Sequence, residues 1–169
     1  NLNKKKQGEF EKTQLENEKV IMKLKNDKLR DDIESKNREL AASTMSIIKK
    51  NEFLNTIKKE LTELKDNEMI KPVIKIIDKN LNVNSDWELF QEAFNNADKD
   101  FLKKVKEKHP SLTPNDLRLC AYLRLNLSSK EIAPLLNISH KSVEIKRYRL
   151  RKKMELGTKV NLIHHILDI

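Results

Sequence analysis

The chain is poor in the residues that build loops, staples and phosphate cradles. Of its 169 residues only 2 are Gly, 4 are Pro and 1 is Cys, and aromatic residues make up 5%. The two glycines, Gly8 and Gly157, stand far apart, which excludes a Gly-rich phosphate-binding loop. A single cysteine, Cys120, excludes an intrachain disulfide and a thiolate metal cluster. Its setting, RLCAYL, marks it as a buried thiol that fits a reducing compartment. No apolar run approaches the length of a membrane span, and no signal peptide is present. No Ser/His/Asp set and no carboxylate pair stands out from the solvated charges. The four histidines, His109, His140, His164 and His165, all lie outside the long N-terminal stretch where a kinase-type phosphoacceptor would sit. His164–His165 reads as a surface or interface pair. We therefore expect no enzymatic activity, no catalytic residue, no metal site and no cofactor. The chain opens on Asn1 instead of Met, which points to a piece of something longer.

What is abundant is Lys, Glu, Leu and Asn, a composition that suits an all-α protein. The formal charge is +9, and its distribution says more than the total. Residues 1–102 carry 20 basic and 20 acidic side chains, whereas residues 103–169 carry 15 and 6. The whole excess lies at the C-terminal end, which points to a polyanionic partner there, nucleic acid before membrane surface.

Residues 9–65 contain neither Pro nor Gly. Ile33, Leu40, Ile47, Leu54 and Leu61 recur every seven residues, as do Leu15, Met22 and Leu29 upstream. Leu29 to Ile33 is the four-residue step between two heptad seams, and Ile57 and Leu64 supply the second seam near its end. Lys36, Ser43 and Lys50 weaken that second seam. The pattern predicts a long helix, roughly 85 Å if continuous at about 1.5 Å per residue, pairing as a parallel coiled coil with weak parts. Leu29, Ile33, Leu40, Ile47, Leu54, Ile57, Leu61 and Leu64 are the expected dimerisation residues. Ala41, Met45 and Ile48 form a further apolar stripe on which another helix would pack.

A short apolar segment, PVIKIIDKNL, follows, with Pro72 suited to a first helical turn. Ser85 and Glu88 have the spacing of a capping box. The helix expected after them carries Trp87, Phe90, Phe94, Ala97, Phe101 and Val105 at spacings of three and four, a core-facing stripe. His109–Pro110 ends it.

Thr113, Pro114 and Asp116 then read as N-cap, first helical residue and capping partner. Leu117, Cys120, Ala121 and Leu125 would line the buried face of that helix. Asn126 and Asn137 each fall where a left-handed residue is needed. Between them Ser128 and Glu131 make a capping box, and Ser139 caps the next helix. That last helix reads SHKSVEIKRYRLRKK, with seven basic residues and one acidic from Ser139 to Lys153. Val143, Leu150 and Met154 point inward. The opposite side mixes positive charge with specific polar and apolar groups, the character of a recognition helix in a helix-turn-helix. His140, Lys141, Glu144, Ile145 and Tyr148 are within reach of base edges. Lys130, Ser142, Lys146, Arg147, Arg149 and Arg151 suit phosphates, which position without reading sequence.

From Leu112 to Leu167 the residues resemble the LuxR-type helix-turn-helix family, on Leu112–Thr113, Lys130–Ala133, Leu136–Ser139, Ser142–Val143 and Lys153–Leu156. Asn126 and Glu155 stand where the family usually has Gly, Glu144 where Lys is common and Lys146 where His is common. Over nearly the whole chain the sequence is also similar to the C-terminal part of Bacteroidetes regulators. In those, a propeller and triple-tyrosine sensor and a membrane helix precede a cytoplasmic coil and a LuxR-type domain. That resemblance implies an upstream sensor and membrane segment absent from this chain. It makes Lys4–Lys6 the positive flank of that segment and the location cytoplasmic, within an inner-membrane protein.

The architecture expected is all-α. A coiled-coil dimerisation and signalling helix covers residues 1–66, a helical connector 67–107, and a four-helix LuxR-type helix-turn-helix domain 108–169. The function expected is that of a homodimeric, sequence-specific regulator of transcription acting on double-stranded DNA, with RNA polymerase as a further partner. Two rival readings stand beside it. One is a sigma-factor region-4-like module that binds promoter and polymerase. The other is a coiled-coil adaptor whose basic end binds polyanions without reading them.

Overall fold

The computed structural model describes residues 2–64 and 67–169. Among them are eight helices and no strand: α1 (Leu2–Thr62), α2 (Asn67–Asn80), α3 (Val83–Ala97), α4 (Phe101–Lys108), α5 (Pro114–Arg124), α6 (Ser129–Leu136), α7 (His140–Lys153) and α8 (Leu162–Leu167). The all-α expectation holds, with a long N-terminal helix followed by shorter ones. No helix among the described residues is long and apolar enough to cross a membrane.

The chain divides into two compact units, Asn1–Lys36 and Asn37–Ile169. The division falls inside α1, whereas the sequence places boundaries at 66/67 and 107/108. In the first unit the upstream heptad side chains stand in solvent: Leu15, Met22 and Leu29 are 53%, 65% and 60% exposed.

The second unit owns the core. Trp87, Phe90 and Phe94 of α3, Phe101 and Val105 of α4, Leu119 to Leu123 of α5, Ile132 and Leu135 of α6, Val143 and Leu150 of α7 and Ile166 of α8 form one buried cluster. Ile48 of α1 belongs to it, and Leu40, Ala41, Met45 and Ile47 pack against it. The stripe Ala41–Met45–Ile48 therefore does receive other helices. Of the remaining expected dimerisation residues, Ile33, Leu54, Ile57 and Leu61 are half-buried, and Leu64 is exposed. Tyr122 is fully buried between Phe90, at 4.8 Å, and Trp87, edge-on at 5.7 Å. Burial pushes the Cys120 thiol up to about 12, so it is an inert filler of the core.

Three local expectations are corrected. The stripe from Trp87 to Val105 lies on two helices, because Asp98 ends α3 by returning its N–H to the Phe94 carbonyl at 2.8 Å. The buried Asp98 carboxylate is held by the Arg124 Nε at 2.9 Å, and Arg124 also donates to the Ile166 and Leu167 carbonyls. A turn that seats this ion pair interrupts a helix that the apolar spacing alone would continue. The N-cap of α3 is Asn82, whose side chain accepts from the N–H groups of Asn84 and Ser85. Ser85 thus lies inside the first turn, and its spacing to Glu88 is not a capping box. Pro72 is the sixth residue of α2, not in its first turn. It deprives the Glu68 carbonyl of its helical donor, which is tolerable because Glu68 is exposed and water can replace the bond.

Candidate nucleic-acid interface

The helix-turn-helix is built by short-range chemistry. Thr113 and Asp116 bond reciprocally as a capping box and start α5 with Pro114 in its first position. Ser128 and Glu131 do the same for α6, and the Ser139 hydroxyl accepts from the Ser142 N–H to start α7. Each of these pairs satisfies donors that a helix start otherwise leaves open. Asn126, Asn137 and Glu155 take positive φ values of 59°, 50° and 55°. Asn suits this left-handed conformation, whereas Glu155 adopts it against the steric preference of its Cβ. Asn126 and Glu155 are the two positions where the family pattern has Gly, so the turns it requires are present with other residues in them.

On the inner face of α7, Val143, Leu150 and Met154 are buried, as their spacing predicts. On α5 the buried face is broader than expected. Leu117 is half-buried, while Leu119, Tyr122 and Leu123 join Cys120 and Ala121 in the core. No amphipathic period could mark that, since this helix is surrounded.

The outer face of α7 brings the expected base-reading set together. His140, Lys141, Glu144, Ile145 and Tyr148 are all exposed, Ile145 at 44% and Tyr148 at 58%. His140 Nε2 lies 3.5 Å from Glu144 Oε1, and the Lys152 ammonium lies 4.8 Å from the centre of the Tyr148 ring. A carboxylate, an aliphatic group, a phenol and several cations thus share one accessible surface of one helix.

The expected phosphate group divides. Lys130, Lys146 and Arg149 are exposed. Ser142 is half-buried and receives a bond from the Ser139 hydroxyl at 2.9 Å. Arg147 donates to the buried Ser129 hydroxyl at 2.9 Å. Arg151 donates to the carbonyls of Gly157 and Val160, tying α7 to the loop before α8. Two open grooves of about 450 and 440 Å³ flank α7 and share Glu144 and Arg147 as lining. One is completed by Thr158, Lys159 and Asn161 and the other by Ser128, Ser129 and Lys130. Thr158 and Lys159 went unnoticed in the sequence because they lie in a loop after α7, with no periodicity to place them.

Lys153 is spoken for. Its ammonium lies 2.7 Å from the Asp116 carboxylate. Burial raises that carboxyl, yet the Lys153 and Thr113 bonds outweigh it and hold Asp116 below the usual range. On the side of α8, His165 and His109 approach Nε2 to Nε2 at 3.0 Å. Burial lowers both imidazoles, with Lys108 next; Glu155 opposes this at His109 and Asp168 at His165. His164 is exposed and stands apart from the pair. Among the described residues no group of three or more His, Cys, Asp or Glu side chains is arranged to hold a metal ion.

The family model described as bacterial regulatory proteins, luxR family, matches residues 110–166, about a third of the chain. Over this segment the chain is similar to that family, which supports a helix-turn-helix domain of a DNA-binding regulator. No curated protein and no solved structure matches the chain.

Proposed function

We propose that the chain is a sequence-specific DNA-binding regulator of transcription that acts as a homodimer. The observation that carries this reading is the outer face of α7. It is unobstructed, basic and chemically mixed, on a helix whose inner face is locked into the core of a LuxR-type domain. Cations supply affinity for any duplex, while Glu144, accepting from a cytosine amino group, and Ile145, touching a thymine methyl, supply preference. His140, Lys141 and Tyr148 complete the reading set. Lys130, Ser142, Lys146, Arg147, Arg149 and Arg151 line the phosphate path, with Arg147 and Arg151 also bracing the domain.

In this reading residues 1–66 form the dimerisation and signalling element, 67–107 the connector and 108–169 the DNA-binding part. The heptad residues exposed before Lys36 are the natural contact for a second copy. Paired recognition helices would meet half-sites about one helical turn apart. The resemblance to Bacteroidetes sensor regulators supports a cytoplasmic output role behind a membrane sensor, with RNA polymerase downstream.

The test is selection from random duplex DNA by the full chain at near-physiological salt, with its mass in solution measured alongside. Enrichment of an inverted repeat together with a dimeric mass is expected. Retention of DNA without enrichment would overturn sequence-specific reading and leave the adaptor. Binding only in the presence of polymerase core would favour the sigma-like module. The full chain is required because Ile48, Trp87, Phe90 and Phe94 share the core of the DNA-binding part.

A further inference from the structure

The turn between α6 and α7 sets the angle of the recognition helix, and it is gripped from outside the helix-turn-helix. At the end of α6 the Ile138 N–H bonds back to the Ala133 carbonyl at 3.1 Å, as does the N–H of left-handed Asn137. The next carbonyl, that of Pro134, thereby loses its usual donor four residues on. It receives instead the Asn51 Nδ2 of α1, at 3.1 Å. One turn further along α1, the Asn55 Nδ2 donates to the Asn137 Oδ1 at 3.2 Å. Asn51 also donates to the Asp86 carboxylate of α3 at 3.2 Å, so a single amide joins three helices.

We propose that Asn51 and Asn55 are positioning residues for DNA recognition, two side chains of α1 that clamp the turn and fix the orientation of α7. This rests on the DNA-binding reading above and adds to it how α1 acts on the recognition helix. Asn51 is 1% exposed, and its Oδ1 is buried without a partner. An apolar side chain at that position would avoid burying an unpaired acceptor. What Asn uniquely supplies there is an NH₂ group aimed at the end of α6. The clamped arrangement is the open one, because Lys141, Glu144, Ile145 and Tyr148 are exposed while the grip is in place. The clamp therefore supports binding and does not mask the binding face.

The seven-residue spacing of α1 makes the grip specific to register. One heptad before Asn51 stands Thr44, and one heptad before Asn55 stands Ile48. A slide of α1 by one heptad toward its C-terminus would bring a shorter hydroxyl to Pro134 and an aliphatic group to Asn137. Only the observed register offers two amides to the turn.

The experiment uses the full chain and a duplex enriched from random DNA by the wild-type chain. The variants are Asn55→Ala, Asn137→Gly and the two combined; Gly keeps the left-handed backbone but removes the partner side chain. Asn55→Ala is expected to weaken binding roughly three- to tenfold, the worth of one hydrogen bond. It is also expected to speed exchange of the Ile138 amide by a similar factor, with the melting temperature lowered by no more than about 2–4 °C, because a single half-buried bond is lost. In the Asn137→Gly background the same substitution should do nothing more, which a merely structural loss would not reproduce. Wild-type affinity and exchange in Asn55→Ala, tighter binding, or an equal loss in both backgrounds would each overturn the clamp. A wild-type chain that enriches no duplex would instead bring down the DNA-binding reading, and this inference with it.

Discussion

The helix α1 carries one seven-residue spacing through two stretches that use it differently. In residues 2–36 the recurring positions Leu15, Met22 and Leu29 are apolar and lie in solvent. In residues 37–62 the buried seam runs through Asn37, Ala41, Thr44, Ile48, Asn51 and Asn55, four of which are polar. Thr44 is 1% exposed and Asn51 1%, deeper than any of the leucines of the expected coil. The polar members are paired inward: Asn37 to Asp98, Thr44 to its own helix at the Leu40 carbonyl, Asn51 to Asp86 and Pro134, and Asn55 to Asn137. A helix face is chosen by what its neighbours can satisfy. Where the neighbours offer fixed acceptors, amides at the right spacing make the seam, and the apolar heptad beside it becomes a flank.

That contrast can be tested at its strongest point first. Ile48 is 2% exposed in the core of the second unit. Ile48→Ala should cost about 2–4 kcal/mol of unfolding free energy in denaturant titration, the cavity penalty of a buried aliphatic. A loss below about 1 kcal/mol would mean that this stretch of α1 is not part of the folded core.

A smaller effect comes from pH, and it too belongs to the second unit, where both lowered histidines lie. Their folded values lie below the ordinary 6.5. The folded state thus binds fewer protons than the unfolded one as the pH falls through that range. Stability should be complete above 6.5 and decline below it, through the depressed folded values. Melting temperatures between neutral and mildly acidic pH would show this, and His165→Asn should flatten the decline. A decline of the same size in that variant would assign it to other groups.

The smallest effect is expected in the first stretch. Leu15→Ala removes no intrachain packing, so the unfolding free energy should stay within about 0.5 kcal/mol of wild type. Its consequence should appear only in the mass of the chain at low concentration, as a shift toward monomer. A large loss of stability at constant mass would show that the first stretch folds against something other than a second copy.

Much of the helix-turn-helix was legible because its determinants are local. Thr113–Asp116, Ser128–Glu131 and Ser139 cap their helices within three residues, and Asn126 and Asn137 hold left-handed turns by their own conformational tolerance. The inward line Val143–Leu150–Met154 follows from the helical repeat alone. By the same logic the exposure of Lys141, Glu144, Ile145 and Tyr148 could be read without coordinates. What misled was local pattern without local authority. The Ser85–Glu88 spacing was a cap only in form, since Asn82 had started the helix three residues earlier. The stripe from Trp87 to Val105 kept its period across a break that no period records.

The sequence by itself determined the all-α character, the caps and turns of the DNA-binding part and the chemical make-up of its outer face. Each of these depends on residues within one or two turns of one another, where steric and hydrogen-bonding preferences act without help. The tertiary structure decided where α1 points its amides, that Asp98 and Arg124 close a buried ion pair, and that Arg147 and Arg151 brace the domain from within. Those outcomes join residues 18 to 83 positions apart, or depend on loops whose course is set by packing. A polar side chain records in the sequence only what it can donate or accept. Its partner is named when burial removes water and leaves a single group within reach.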